Sequence, residues 1–281
     1  PYTVDDTLWA LDLQSGSWRE ILAPGRPSAA GLRVAPNDGS QSPYFFGGHD
    51  TVAVLQRYLG ETEGFEPLQT AAPLAGAVQL GGLVYDVTNK RLVSFCGLTG
   101  GQAHCDVLVL GTESAAPRWE ALKVEAPDGR PEGRYGMHYA YVPSQGRVVL
   151  FSGARMPTAT DPVNAAQDSW ALDLDGKPTW RRLAPTGEVP SGRRNGCFAF
   201  DRNGLRLLVW GGTADASTAA PGLFALRLRR DQERWDRVEI SGAPPARASC
   251  SGIYDHPRRR ALFGFGNTIS NRFADLHALE L

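Results

Sequence analysis

The strongest constraint on this chain is a hairpin that keeps returning along it. Its fullest copy opens as Gly133-Arg134-Tyr135-Gly136-Met137-His138-Tyr139-Ala140-Tyr141 and turns at Pro143-Ser144-Gln145-Gly146. It runs back as Arg147-Val148-Val149-Leu150-Phe151-Ser152-Gly153. After a polar loop comes a third run, Asp168-Ser169-Trp170-Ala171-Leu172-Asp173-Leu174, and a short fourth closes at Trp180-Arg181-Arg182-Leu183. β-Branched, aromatic and aliphatic density bounded by turn residues predicts four antiparallel strands. One small sheet of this kind cannot bury both faces alone, so the chain has to supply copies of it.

The copies are present. The hairpin recurs from Gly192 to Gly212, from Arg247 to Gly266, from Leu83 to Gly97 and, most worn, from Arg26 to Gly48. The third strand recurs at Thr7–Leu13, Asp106–Leu110, Leu223–Leu228 and Ala274–Leu281, and the fourth around Trp18, Phe65, Trp119 and Trp235. The period is about 50 to 60 residues.

A strand ending in Gly-Gly, a loop, a strand of the form Asp-x-Trp-x-Leu-Asp-Leu and then a lone Trp resembles the Kelch repeat. The linkers Gly129–Arg134, Gly187–Arg193 and Gly242–Arg247 resemble the Pro-Arg opening of a Kelch blade. The likeness covers essentially the whole chain. It departs at Cys96-Gly97 and Ser152-Gly153, which lack the glycine pair, at the spread pair Gly264 and Gly266, and at Val78, which stands where a leading arginine is expected. The resemblance implies an all-β, Kelch-type β-propeller of four-stranded antiparallel blades.

The 281 residues are accounted for by one propeller, 1–281, cut into segments of about 1–22, 23–69, 70–123, 124–184, 185–241 and 242–281. Six third strands against five inner hairpins favour six blades, with five as the alternative if the termini share one blade. Net charge of -1 gives no pull toward nucleic acid or anionic membranes. No apolar run approaches the roughly 18 residues of a spanning helix. The chain opens at Pro1 without a charged-then-apolar leader, which fits either a removed leader or a piece of something longer.

Function is expected on the loops joining second to third strands, which vary while the strands repeat. His49 and Asp50 lie on the first, His104 on the second, and Arg155, Asp161 and Asn164 on the longest, Ala154–Gln167. Asp215 lies on the next, and Asn271 and Arg272 on the last. Arg26, Arg134, Arg193 and Arg247 take equivalent positions before innermost strands, with Arg194 beside one of them. Guanidinium forks there suit carboxylate, phosphate or sulfate, and the resemblance implies recognition of acidic peptides. A residue repeated in every blade is more simply explained by a shared structural task, such as bonding linker carbonyls. Arg91, Arg147, Arg206 and Arg260, after the first turn on the opposite side, read as structural. Asp6, Asp106, Asp168 and Asp275 read as turn-forming.

Catalytic signatures are not readable. The histidines His49, His104, His138, His256 and His277 show no ligand spacing, so neither a metal nor a cofactor is expected. The glycine pairs end strands without opening helices and are not phosphate loops. Among the cysteines, Cys96 and Cys105 flank one loop and are expected to form a disulfide, as suits an exported protein of bacterial style, whereas reduced cysteines throughout would fit a cytoplasmic one. Cys197 and Cys250 fall one place out of register on neighbouring blades and read as buried thiols. The resulting expectation is a non-enzymatic scaffold that binds a protein or peptide partner, suitably an acidic one, through its loop face. The alternative is a carbohydrate- or sugar-acid-directed enzyme or lectin using that face.

Overall fold

The computed structural model describes residues 7–27, 32–35, 42–47, 54–70, 78–114, 116–158, 165–214 and 218–280. Its contacts group into two compact units, Pro1–Gln102 with Asp106–Leu122, and Ala103–Cys105 with Lys123–Leu281. Among the described residues the regular structure is all strand, apart from one 3-10 turn at Pro143–Gln145.

The first unit holds the pair β1 (Leu8–Leu11) and β2 (Trp18–Ile21). Next comes the sheet β3 (Arg33–Ala35), β4 (Tyr44–Gly47), β5 (Val54–Gly60) and β6 (Gly64–Pro67). A further sheet orders β7 (Gly82–Asp86), β8 (Arg91–Thr99), β9 (Gln102–Gly111) and β10 (Glu120–Ala121). In this unit Ala35, Tyr44, Phe46 and Leu55 pack on Leu83, Leu92 and Leu110, with Trp119 against them.

The second unit opens with β11 (His138–Val142), β12 (Arg147–Phe151), β13 (Ser169–Asp173) and β14 (Thr179–Leu183), paired in that order. The next sheet runs β16 (Cys197–Asp201), β17 (Arg206–Trp210), β18 (Leu223–Arg227) and β19 (Arg234–Val238). The linker adds β15 (Thr186–Gly187) to the edge of β19 in parallel. The last sheet has three strands, β20 (Ser251–Asp255), β21 (Arg260–Gly264) and β22 (Leu276–Glu280).

Among the described residues five sheets carry an inner hairpin, at β3–β4, β7–β8, β11–β12, β16–β17 and β20–β21, and these are the five blades. The β1–β2 pair corresponds to third and fourth strands only. The six blades favoured from sequence therefore give way to five. On the two-stranded sheet Trp9 and Trp18 are 52% and 46% exposed.

Alternation along the strands builds the cores between blades. Between blades three and four, Val149, Phe151 and Ala171 meet Val209, Leu226, Leu228 and Trp235. Between blades four and five, Leu208, Trp210 and Leu223 meet Ala261 and Phe263. The worn glycine pairs keep the backbone of intact ones. Cys96, Ser152 and Phe265 stand at φ 51°, 61° and 59°, beside 67° for the first glycine of the intact pair, Gly211. Both glycines of that pair are crowded, since a Cβ on Gly211 would lie 2.2 Å from the carbonyl oxygen of Arg247 and one on Gly212 2.9 Å from that of Arg194.

A candidate binding face on the loop side of the second unit

The segments that lead into the innermost strands bond to the residues that leave the second strands. Tyr135 bridges Ala154, Arg194 bridges Thr213 and Ala248 bridges Asn267, one such bridge in each blade of the unit. Neighbouring blades are tied along the same rim by main-chain bonds. The Asn195 N–H donates to Gly136 O at 2.8 Å and the Ser249 N–H to Asn195 O at 2.6 Å. The Gly153 N–H donates to Arg193 O at 3.0 Å and the Gly212 N–H to Arg247 O at 2.9 Å. Asn195 and Ser249 hold left-handed backbone, φ 54° and 52°, to make these links. The loops therefore leave from a stiff rim.

The leading arginines lie under that rim. Arg134, Arg193 and Arg247 are 1%, 1% and 0% exposed. In each, Nε donates two residues back, to Glu132 O (3.0 Å), Ser191 O (3.0 Å) or Pro245 O (3.2 Å). Nη1 reaches the end of the second strand, at Ser152 O (3.3 Å), Gly211 O (3.1 Å) or Phe265 O (3.2 Å). The rest of the fork is neutralised by an acid before the third strand: Arg134 pairs bidentately with Asp168, and Arg247 with Asp275, each at 3.1 Å through Nη2. Asp168 and Asp275, expected to form turns, are counter-ions. Blade four has Gly222 in this place, and Phe224 lies under the Arg193 guanidinium with 5.2 Å from Cζ to the ring centre. Burial pushes Arg193 down to about 10. It also pushes His138 down to about 3, with the Arg193 charge adding to the effect. The neutral His138 accepts the Gly196 N–H on Nε2 at 3.1 Å and links blades three and four.

The other expected site residues are placed unevenly. Arg194 is half-buried, donates to Tyr135 Oη at 2.6 Å and stacks over that ring. Arg155 pairs with Glu132 at 3.1 Å. Asn271 and Arg272 are exposed on the last loop, where Arg272 bridges Asn267 and the Asn271 N–H donates to Thr268 Oγ1 at 3.1 Å. His104 is half-buried, and its carbonyl accepts the Arg134 N–H at 3.3 Å. Arg26, in the first unit, donates to Ile21 O at 3.3 Å and lies 3.6 Å from Glu20. His49, Asp50, Asp161, Asn164 and Asp215 lie outside the described residues. Cys96 and Cys105 are both disulfide-bonded. Cys197 and Cys250, read as thiols, form a disulfide with each other, the Cα atoms 5.0 Å apart. A one-place register offset suggested opposite faces. Cys250 instead precedes its strand, next to left-handed Ser249, where alternation does not apply.

What sequence reasoning missed on this face is its apolar component. Met156, Phe265 and Ile269 are 36%, 39% and 74% exposed on the segments that follow the second strands. No group of three or more metal-ligating side chains occurs among the described residues.

Comparison with known proteins fits this architecture. The KLHDC2/KLHL20/DRC7 Kelch-repeats domain matches residues 82–281. Adagio-like protein 3 of Oryza sativa subsp. japonica is 32% identical over 161 residues, 56% of this chain and 24% of that protein. Adagio protein 3 of Arabidopsis thaliana is 31% identical over 197 residues, 68% of this chain and 30% of that protein. The chain thus spans under a third of the length of either plant relative. The solved structure of YjhT aligns with a TM-score of 0.70 at 17% identity, covering 98% of this chain and 89% of that one. The match and the structural likeness establish a Kelch-type β-propeller.

Proposed function

The chain belongs to the KLHDC2/KLHL20/DRC7 Kelch-repeats family, and on that premise we propose that it is a binding scaffold which takes a protein or peptide partner on the loop side of its second unit. The observation that carries this reading is the division of labour among the arginines. Arg134, Arg193 and Arg247 are buried and bonded within their own blades, whereas Arg194 and Arg272 form no ion pair among the described residues. Arg194 is held in place by Tyr135, so its remaining donors are pre-organised for a carboxylate. Met156, Phe265 and Ile269 lie on the same side and suit an apolar residue of the partner. The partner segment is therefore acidic with an apolar anchor. We extend the proposal to an oxidising compartment, which four bonded cysteines support.

The test is capture from the native source with the wild-type protein and with Arg194→Ala/Arg272→Ala, followed by identification of what is bound. The reading expects a partner retained by the wild type and lost by the folded variant. Equal capture by both would remove the loop-side arginines from recognition.

A further inference from the structure

Blades four and five meet along a seam between β16 and the β20–β21 hairpin. At its loop-side end are two main-chain bonds, Ser249 N–H to Asn195 O and Gly212 N–H to Arg247 O. Between them lies the Cys197–Cys250 disulfide, joining positions 53 residues apart. Blade five is the thinner of the two. Its sheet has three strands, and its innermost strand exposes Ser251 and 56% of Ile253, whereas Cys197, Ala199 and Asp201 of β16 are buried. The two sulfurs also differ in access: Cys197 is 0% exposed while Cys250 is half-buried at the rim. Cys96 and Cys105 are buried at 0% and 9%.

We propose that the Cys197–Cys250 bond is a redox latch that fastens blade five to blade four. A small thiol reductant reaches Cys250 Sγ first. Its thiolate attacks that sulfur, forms a mixed disulfide and releases Cys197 as the leaving thiolate, which takes up a proton. A second thiol of the reductant resolves the mixed disulfide. Two electrons and two protons pass to the cysteines, and the reductant leaves as its own disulfide. The seam is then held without a covalent link, by the two rim bonds, by the packing of Leu208, Trp210 and Leu223 on Ala261 and Phe263 and by the Tyr254–Asp201 hydrogen bond, and blade five loosens. Arg194 on blade four and Asn271 and Arg272 on blade five then cease to form one rigid surface.

The experiment is hydrogen exchange on the whole protein, oxidised and after graded dithiothreitol, with alkylation and mass mapping of the four cysteines. The latch predicts that Cys197 and Cys250 are labelled before Cys96 and Cys105. It also predicts that amides of β20–β22 then exchange at least tenfold faster while β11–β14 are unchanged. Unreduced Cys250→Ser is expected to reproduce the same pattern. Labelled Cys197 and Cys250 with β20–β22 still protected would overturn the latch. So would simultaneous loss of protection in every blade, or labelling that needs denaturant.

Discussion

Arg147 and Glu233 form a buried ion pair, with Nη2 2.8 Å from Oε1 and side-chain exposures of 0% and 6%, that ties blade three to blade four. In three of the other hairpins the arginine after the turn pairs with the aspartate directly across from it: Arg91 with Asp86, Arg206 with Asp201 and Arg260 with Asp255. In blade three that partner is Val142, so Arg147 turns outward to the neighbouring blade and also donates to Leu228 O at 3.0 Å.

Removing one member of this pair strands the other. Glu233→Gln is expected to destabilise the second unit by about 3–5 kcal/mol, while Arg147→Met/Glu233→Leu restores most of that. Denaturant unfolding of the three proteins decides it; a single variant as stable as wild type would show that the pair is solvated.

The pair marks how far the sequence could be read. Repeat spacing, strand order and the leading arginines were legible because each recurs in register. From sequence Arg147 reads only as structural, like Arg91, Arg206 and Arg260; the strand register shows Val142 across from it in place of aspartate. Its destination was not legible, because Glu233 comes from a different blade with no fixed sequence offset. The same holds for the disulfide and for the exposed Phe265, whose left-handed backbone sets it apart from the β-strand alternation. Five blades in place of six follow from a strand count at the termini, which local pattern does not resolve.

His138 gives a pH signature. Its folded value, pushed down to about 3, lies below the unfolded value of about 6.5, so the unfolded state takes up the proton first. Stability is complete above that unfolded value and falls as pH drops toward 3, by roughly 5 kcal/mol at most. His138→Gln is expected to flatten this part of the profile. Thermal melts between pH 7 and 4 would show it, and an unchanged slope in the variant would assign the dependence elsewhere.

Asp168 acts in a more acidic window. Burial alone would raise it, but the Arg134 fork and the Trp170 N–H hold it below the ordinary carboxylate range. Its folded value lies under the unfolded value of about 3.9, so its contribution is present above that value and disappears as pH falls further. Asp168→Asn is expected to be less stable at pH 7 and to lose less on acidification below about pH 4. Parallel acid titrations with wild type are the check, and coincident curves would contradict it.

The two ends of the repeat series are expected to respond differently to the same change. Trp235 is fully buried against Phe151, and Trp235→Ala is expected to cost about 3–5 kcal/mol. Trp18 is 46% exposed, and Trp18→Ala is expected to cost about 1 kcal/mol or less. Equal losses in equilibrium unfolding would mean that Trp18 is covered in solution.

The most direct test of the binding face is a titration of the captured partner segment against wild type, Arg194→Ala and Arg194→Lys, with melting temperatures measured alongside. The loop-side account predicts at least a tenfold loss of affinity for Arg194→Ala, partial recovery for Arg194→Lys, and melting temperatures within a few degrees of wild type. Undiminished affinity in Arg194→Ala, or a loss that tracks a falling melting temperature, would contradict it.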